Sequence, residues 1–158
     1  MKGHIGDLFS EEQRQILLVS AIHEGEVFRM HLGDEEDVKG KNPEDDGRNK
    51  FFIVLGHDAE GNALGFVLIN SEINASLPVK RKDMHYPLYA KDYPFLDGKN
   101  RFVDCSDFKI VSQKKFTKLF GSQTSKGQIH TNDLEYIKNA VATYEDASPK
   151  LLKRFGLI

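Results

Sequence analysis

Two apolar runs joined by a short polar turn constrain this chain more than any other feature. Phe51 to Leu55 reads FFIVL, Ala63 to Ile69 reads ALGFVLI, and Asp58-Ala59-Glu60-Gly61-Asn62 lies between them. Short runs rich in β-branched and aromatic residues, bounded by turn-forming residues, predict two antiparallel strands of a hairpin. Their hydrophobicity is continuous rather than alternating, so both faces of the hairpin must be covered. A chain of 158 residues is long enough for one sizeable core and short for two, so residues 1–158 are read as one domain around this hairpin.

The flanking segments supply the cover. Ser10-Glu11-Glu12-Gln13 has the form of a capping box, and Gln13, Ile16, Leu17, Ser20 and Ala21 follow at helical spacing, which predicts a helix to about Ile22 within an extension of residues 1–24. Glu26 to Leu32 (EVFRMHL) has the content of a short strand. Gly33 to Asn49 is polar and glycine-containing and is expected to be a long loop. Ile73 to Asp83 is a second irregular connection. His85 to Tyr89, Arg101 to Asp104 and Phe108 to Val111 read as short strands, and Ser112 caps a helical turn that Gly121 closes. Asn132 and Glu135 form a capping pattern before a stripe of Leu134, Ile137, Val141 and Tyr144, and Ser148-Pro149 opens a last short helix within residues 145–158. No strand-helix-strand alternation is present. The expected class is therefore mostly β with helices (α+β): a small, partly open antiparallel barrel of five to seven strands, with a helix packed near the C-terminus and an extra helix at the N-terminus.

Charge narrows the function classes. The formal net charge is −2, which argues against coating nucleic acid by bulk electrostatics. Its distribution is uneven: residues 1–50 hold 12 acids and 7 bases, whereas residues 80–118 hold 10 bases and 5 acids. That second stretch could present a basic face to phosphates or simply a solvated lysine-rich surface. No apolar run approaches a membrane span, and the first residues lack the pattern of a secretory signal, so a cytoplasmic protein without membrane partners is expected. Cys105 is the single cysteine, which leaves no intramolecular disulfide and no thiol metal cluster.

Several segments, in order, resemble the PemK/MazF family of toxins from toxin-antitoxin pairs. Gly25-Glu26-Val27 resembles the family's opening strand, and the polar loop ending in Gly47-Arg48-Asn49-Lys50 resembles its glycine-rich basic loop. Asn70-Ser71 stands where the family has a hydroxyl pair. Arg101-Phe102-Val103-Asp104-Cys105-Ser106 resembles a later strand, and Gly127-Gln128-Ile129 with the following helix resembles the family's end. The likeness runs from about Gly25 to Tyr144. The family's usual Arg-Pro after the loop is replaced here by Arg48 and Lys50 around Asn49. The resemblance implies an SH3-like barrel, a homodimer, an antitoxin protein as partner, and cleavage of single-stranded RNA without cofactor or metal.

The implied chemistry needs the 2′-hydroxyl deprotonated, the phosphorane charge held and the leaving 5′-oxygen protonated. A guanidinium forks onto phosphate, whereas an ammonium is a point charge, so Arg48 suits the clamp and Lys50 the proton donor. Asn70 or Ser71 would orient the phosphate by hydrogen bonds; either could equally satisfy its own strand end. His31, His57 and His85 are scattered acid-base candidates, without a metal-ligand spacing, and Cys105 reads as a buried small hydrophobe. The acids from Asp34 to Asp37 and from Glu44 to Asp46 lack the alternation of a calcium loop. The first reading is a toxin-like endoribonuclease acting through Arg48, Lys50, Asn70 and Ser71. The alternative is a non-catalytic SH3-like barrel that binds protein or nucleic acid, including an unrelated adaptor of that shape.

Overall fold

A computed structural model describes residues 10–33, 38, 44, 47–120 and 124–158. The central hairpin forms as expected, from β2 (Gly47–His57) and β3 (Ala63–Asn70). Asp58 makes its turn: the carboxylate accepts from the backbone N–H groups of Asn62 at 2.6 Å and Ala63 at 3.2 Å, and Gly61 takes the left-handed φ of 73° that the reversal requires. Arg154 also donates to this carboxylate at 3.1 Å.

The other elements in chain order are α1 (Glu11–Ser20), β1 (Glu26–Gly33), α2 (Val79–Lys82), β4 (His85–Leu88), β5 (Arg101–Asp104), β6 (Lys109–Ser112), α3 (Gln113–Phe120), β7 (Gly127–Gln128), α4 (Thr131–Thr143) and α5 (Pro149–Arg154). Among the described residues, seven strands form one antiparallel sheet in the order β4-β5-β3-β2-β1-β7, with β6 also pairing β3. The sheet curls into a half-barrel, and the chain is of the α+β class. No described helix is long and apolar enough to cross a membrane.

Both faces of the hairpin are covered, as its continuous hydrophobicity demanded. On one face Val27, Ile53, Leu55, Val67 and Ile69 pack with Leu134, Ile137 and Val141 of α4 and Leu152 of α5. On the other, Phe28, Met30, Phe52, Val54 and Phe66 pack with Val19, Ile22 and Phe116. The Phe116 ring meets Phe28 and Phe52 edge-on at 5.8 and 6.0 Å, the geometry that aromatic quadrupoles favour.

Three sequence expectations are corrected. The Ser10 capping box forms in full with Gln13, but the helix buries Val19 and leaves Ile16 and Leu17 exposed, so the apolar stripe lies elsewhere than its spacing suggested. Helix α4 begins at Thr131 with His130 at the N-cap and no side-chain cap bond there, so Asn132 lies inside the first turn next to Asp133. Its carboxylate accepts the Tyr86 hydroxyl at 2.5 Å and the Tyr93 hydroxyl as well, tying the helix to β4. That bond pushes the Tyr86 phenol up to about 12, and burial raises Tyr93.

The third correction bears on function. Residues 47–49 are strand rather than loop, because β1 and β2 stay paired to Gly33↔Gly47. Gly47 has a φ of 152°, and a Cβ there would lie 2.0 Å from the Leu32 carbonyl oxygen, so only glycine permits this close start to β2. Most of the expected loop, residues 34–46 other than 38 and 44, lies outside the described residues. The irregular connection from Ile73 to Asp83 contains the short helix α2.

Candidate functional site

The strand ladder brings together residues twenty apart in sequence. Phe51 pairs with Ile69, which sets Lys50 beside Asn70, and the Lys50 Nζ donates to Asn70 Oδ1 at 2.5 Å. Asn70 in turn pairs with Phe102 of β5. Residues opposite one another on paired strands project to the same face, so Met30, Lys50, Asn70 and Phe102 form a row across four strands. Arg48 lies two residues from Lys50 and shares its face by the strand's period. Phe102 is half-buried and stands outside both apolar clusters.

Lys50 loses its proton more readily than an ordinary lysine. Its pKa falls from the ordinary lysine value to about 8, first because half-burial removes water from the ammonium, then because the Arg48 and Arg101 guanidiniums repel it. The Asp104 carboxylate acts in the opposite sense and more weakly. Asn70 accepts through Oδ1, so its amide group keeps two donors for a ligand oxygen.

Of the four expected site residues, the fold joins Lys50 and Asn70 directly and sets Arg48 near enough for its charge to be felt. Ser71 falls one residue beyond β3, exposed, and makes no hydrogen bond among the described residues. Arg101 and Phe102 complete the surroundings and were not singled out as site residues from sequence. A signal existed for Arg101, which lies in the basic stretch of residues 80–118. Nothing in the local sequence reveals that Phe102 registers with Asn70, since that depends on β5 pairing with β3 across thirty residues of chain.

The remaining candidates have structural partners. His57 donates from Nε2 to the Ile22 carbonyl at 2.9 Å, and His31 is exposed on β1. Burial pushes the Cys105 thiol up to about 12, so it stays protonated and is a poor nucleophile near neutral pH. Asp104 is held by the Arg81 guanidinium at 3.2 Å and the Ser106 hydroxyl at 2.6 Å, with Arg81 Nε donating to Ser106 Oγ at 2.9 Å. His85 donates from Nδ1 to the Arg81 carbonyl at 2.9 Å. This cluster clips α2 and β4 onto β5.

A scan against models of known protein families finds no match for this chain, and neither does a search among curated proteins.

Proposed function

We propose that the chain is an endoribonuclease of the PemK/MazF toxin type, cleaving single-stranded RNA by transesterification at Lys50. The observation that carries this reading is the half-buried lysine titrating near pH 8 on the Asn70 carbonyl, with two guanidinium charges close by. An acid-base group is most effective when its pKa lies near the working pH.

In the reaction the 2′-hydroxyl gives up its proton to solvent water as its oxygen attacks the adjacent phosphorus, a P–O bond forms, and the bond to the 5′-oxygen breaks. Arg48 holds the negative charge that builds on the equatorial oxygens. The Lys50 ammonium gives its proton to the departing 5′-oxygen, leaving a 5′-hydroxyl and a 2′,3′-cyclic phosphate. The Asn70 amide orients a phosphate oxygen, the exposed Ser71 hydroxyl is a second donor at the ladder's end, and the Phe102 ring offers a flat surface to a neighbouring base. The SH3-like barrel, the homodimer and the neutralising antitoxin belong to the same reading, which rests for them on the sequence resemblance.

The pH profile of cleavage tests the role given to Lys50. As a proton donor it must be charged, so kcat/KM falls about tenfold per pH unit above about pH 8. Lys50→Arg keeps its charge at all accessible pH and loses that descending limb along with most of the rate. A limb that persists in Lys50→Arg assigns the proton donor to another group.

A further inference from the structure

Two arginines to which the proposed reaction gives no contact with the substrate converge on one aromatic ring. The guanidinium carbon of Arg29 lies 5.5 Å from the Phe51 ring centroid, and that of Arg101 lies 5.4 Å from it. Arg29 reaches the ring from β1, where it is the registered partner of Phe51, and Arg101 reaches it from β5. Neither arginine has an ion pair with a carboxylate among the described residues. Arg29 is exposed, and the Nε of Arg101 is buried without a hydrogen-bond partner.

Each of these features runs against a purely structural role. Two like charges on one ring repel, and a buried donor left unmade costs about 1–3 kcal/mol. The Phe95 ring already packs against Phe51 at 5.8 Å, so covering Phe51 does not call for two guanidiniums. Paired guanidiniums on an aromatic platform, with unused donors, are suited to an anion that both forks can grip. Phe51 follows Lys50 on β2, so its side chain leaves the opposite face of the same end of the sheet. A strand of nucleic acid passing round that end from Lys50 brings a flanking phosphate to the two arginines.

We propose that Arg29 and Arg101, held over Phe51, form a second phosphate-binding clamp that grips the backbone of single-stranded RNA beside the cleaved nucleotide. The clamp rests on the RNA reading given above and adds a binding site on the other face of the sheet. It contributes to affinity and to the path of the strand and touches no reacting atom, while the charge of Arg101 also acts on Lys50.

The test is fluorescence anisotropy with a single-stranded 2′-O-methyl RNA of about 12 nucleotides, a length that covers one such site. This probe cannot undergo transesterification, so binding is read apart from cleavage. Arg29→Ala and Arg101→Gln are each expected to weaken binding by about 3- to 10-fold. Each also lowers the slope of log K against log salt by about 0.7, the value for one lost phosphate contact on a single strand. Arg29 is exposed, so Arg29→Ala decides the matter even where Arg101→Gln fails to fold. If the parent chain binds and Arg29→Ala keeps the parent's affinity and slope, the clamp is wrong while the RNA reading stands. If the parent chain does not bind the probe at low salt, the RNA reading fails and the clamp with it.

Discussion

Lys50→Met abolishes RNA cleavage, with a loss of about 10²- to 10⁴-fold expected for removal of a positioned proton donor, and it does so without weakening the fold at pH 7. The second half of this result follows from the depressed pKa of Lys50. A lysine that titrates near 8 in the folded chain and near 10.5 when unfolded binds fewer protons folded than unfolded between those values. Stability of the parent therefore rises as pH increases from about 8 to about 10.5, and below pH 8 the parent carries the full penalty of a half-buried ammonium. The unscreened shift corresponds to about 3 kcal/mol, and solvent screening at a partly exposed group reduces it to about 1 kcal/mol. Methionine removes the charge and keeps the stem, although it leaves the Asn70 carbonyl without its donor. Thermal melts at pH 7 and pH 10 check this: the melting temperature of Lys50→Met at pH 7 equals or exceeds the parent's, and the parent gains on the variant as pH rises. A variant several degrees less stable at pH 7 would assign Lys50 a mainly structural role.

Ile137→Asp produces the largest loss of stability. Ile137 is fully buried where α4 packs on the face formed by Val27, Ile53 and Ile69. An aspartate there either enters the core charged and unpaired or forces the helix away. Either outcome costs about 4 kcal/mol or more, against the roughly 5–15 kcal/mol that holds an ordinary domain together. Urea denaturation gives the check, with Glu135→Gln on the exposed side of the same helix as the control. Equal midpoints for the two variants would mean that α4 is not docked.

What the sequence made legible follows the range of the interactions involved. The hairpin, the Ser10 capping box and the Leu134, Ile137 and Val141 part of the α4 stripe are local patterns that formed where they were read, whereas Tyr144 falls just past the end of the helix. The start of β2 was missed because polar residues 47–49 carry no strand signal, and their pairing is imposed by β1 and by the close approach at Gly47. The start of α4 departs from the Asn132 pattern because the helix opens at Thr131 on His130 without a side-chain cap, which leaves no local signal, and the bonds from two tyrosines about forty residues earlier to Asp133 are equally invisible in sequence. Within the site, antiparallel pairing of the hairpin was enough to bring Lys50 to Asn70. Arg101 and Phe102 needed the β3–β5 register, which depends on the fold as a whole. The depressed pKa of Lys50 was likewise invisible, since it arises from burial and from charges on two different strands.

The most direct measurement incubates the purified chain with a mixed set of single-stranded RNAs in excess chelator at pH 7 and identifies the product ends. The account predicts discrete cuts that carry 2′,3′-cyclic phosphate and 5′-hydroxyl termini, lost in Lys50→Met. Intact RNA with the parent chain, or cuts that Lys50→Met makes at the parent's rate, would contradict it.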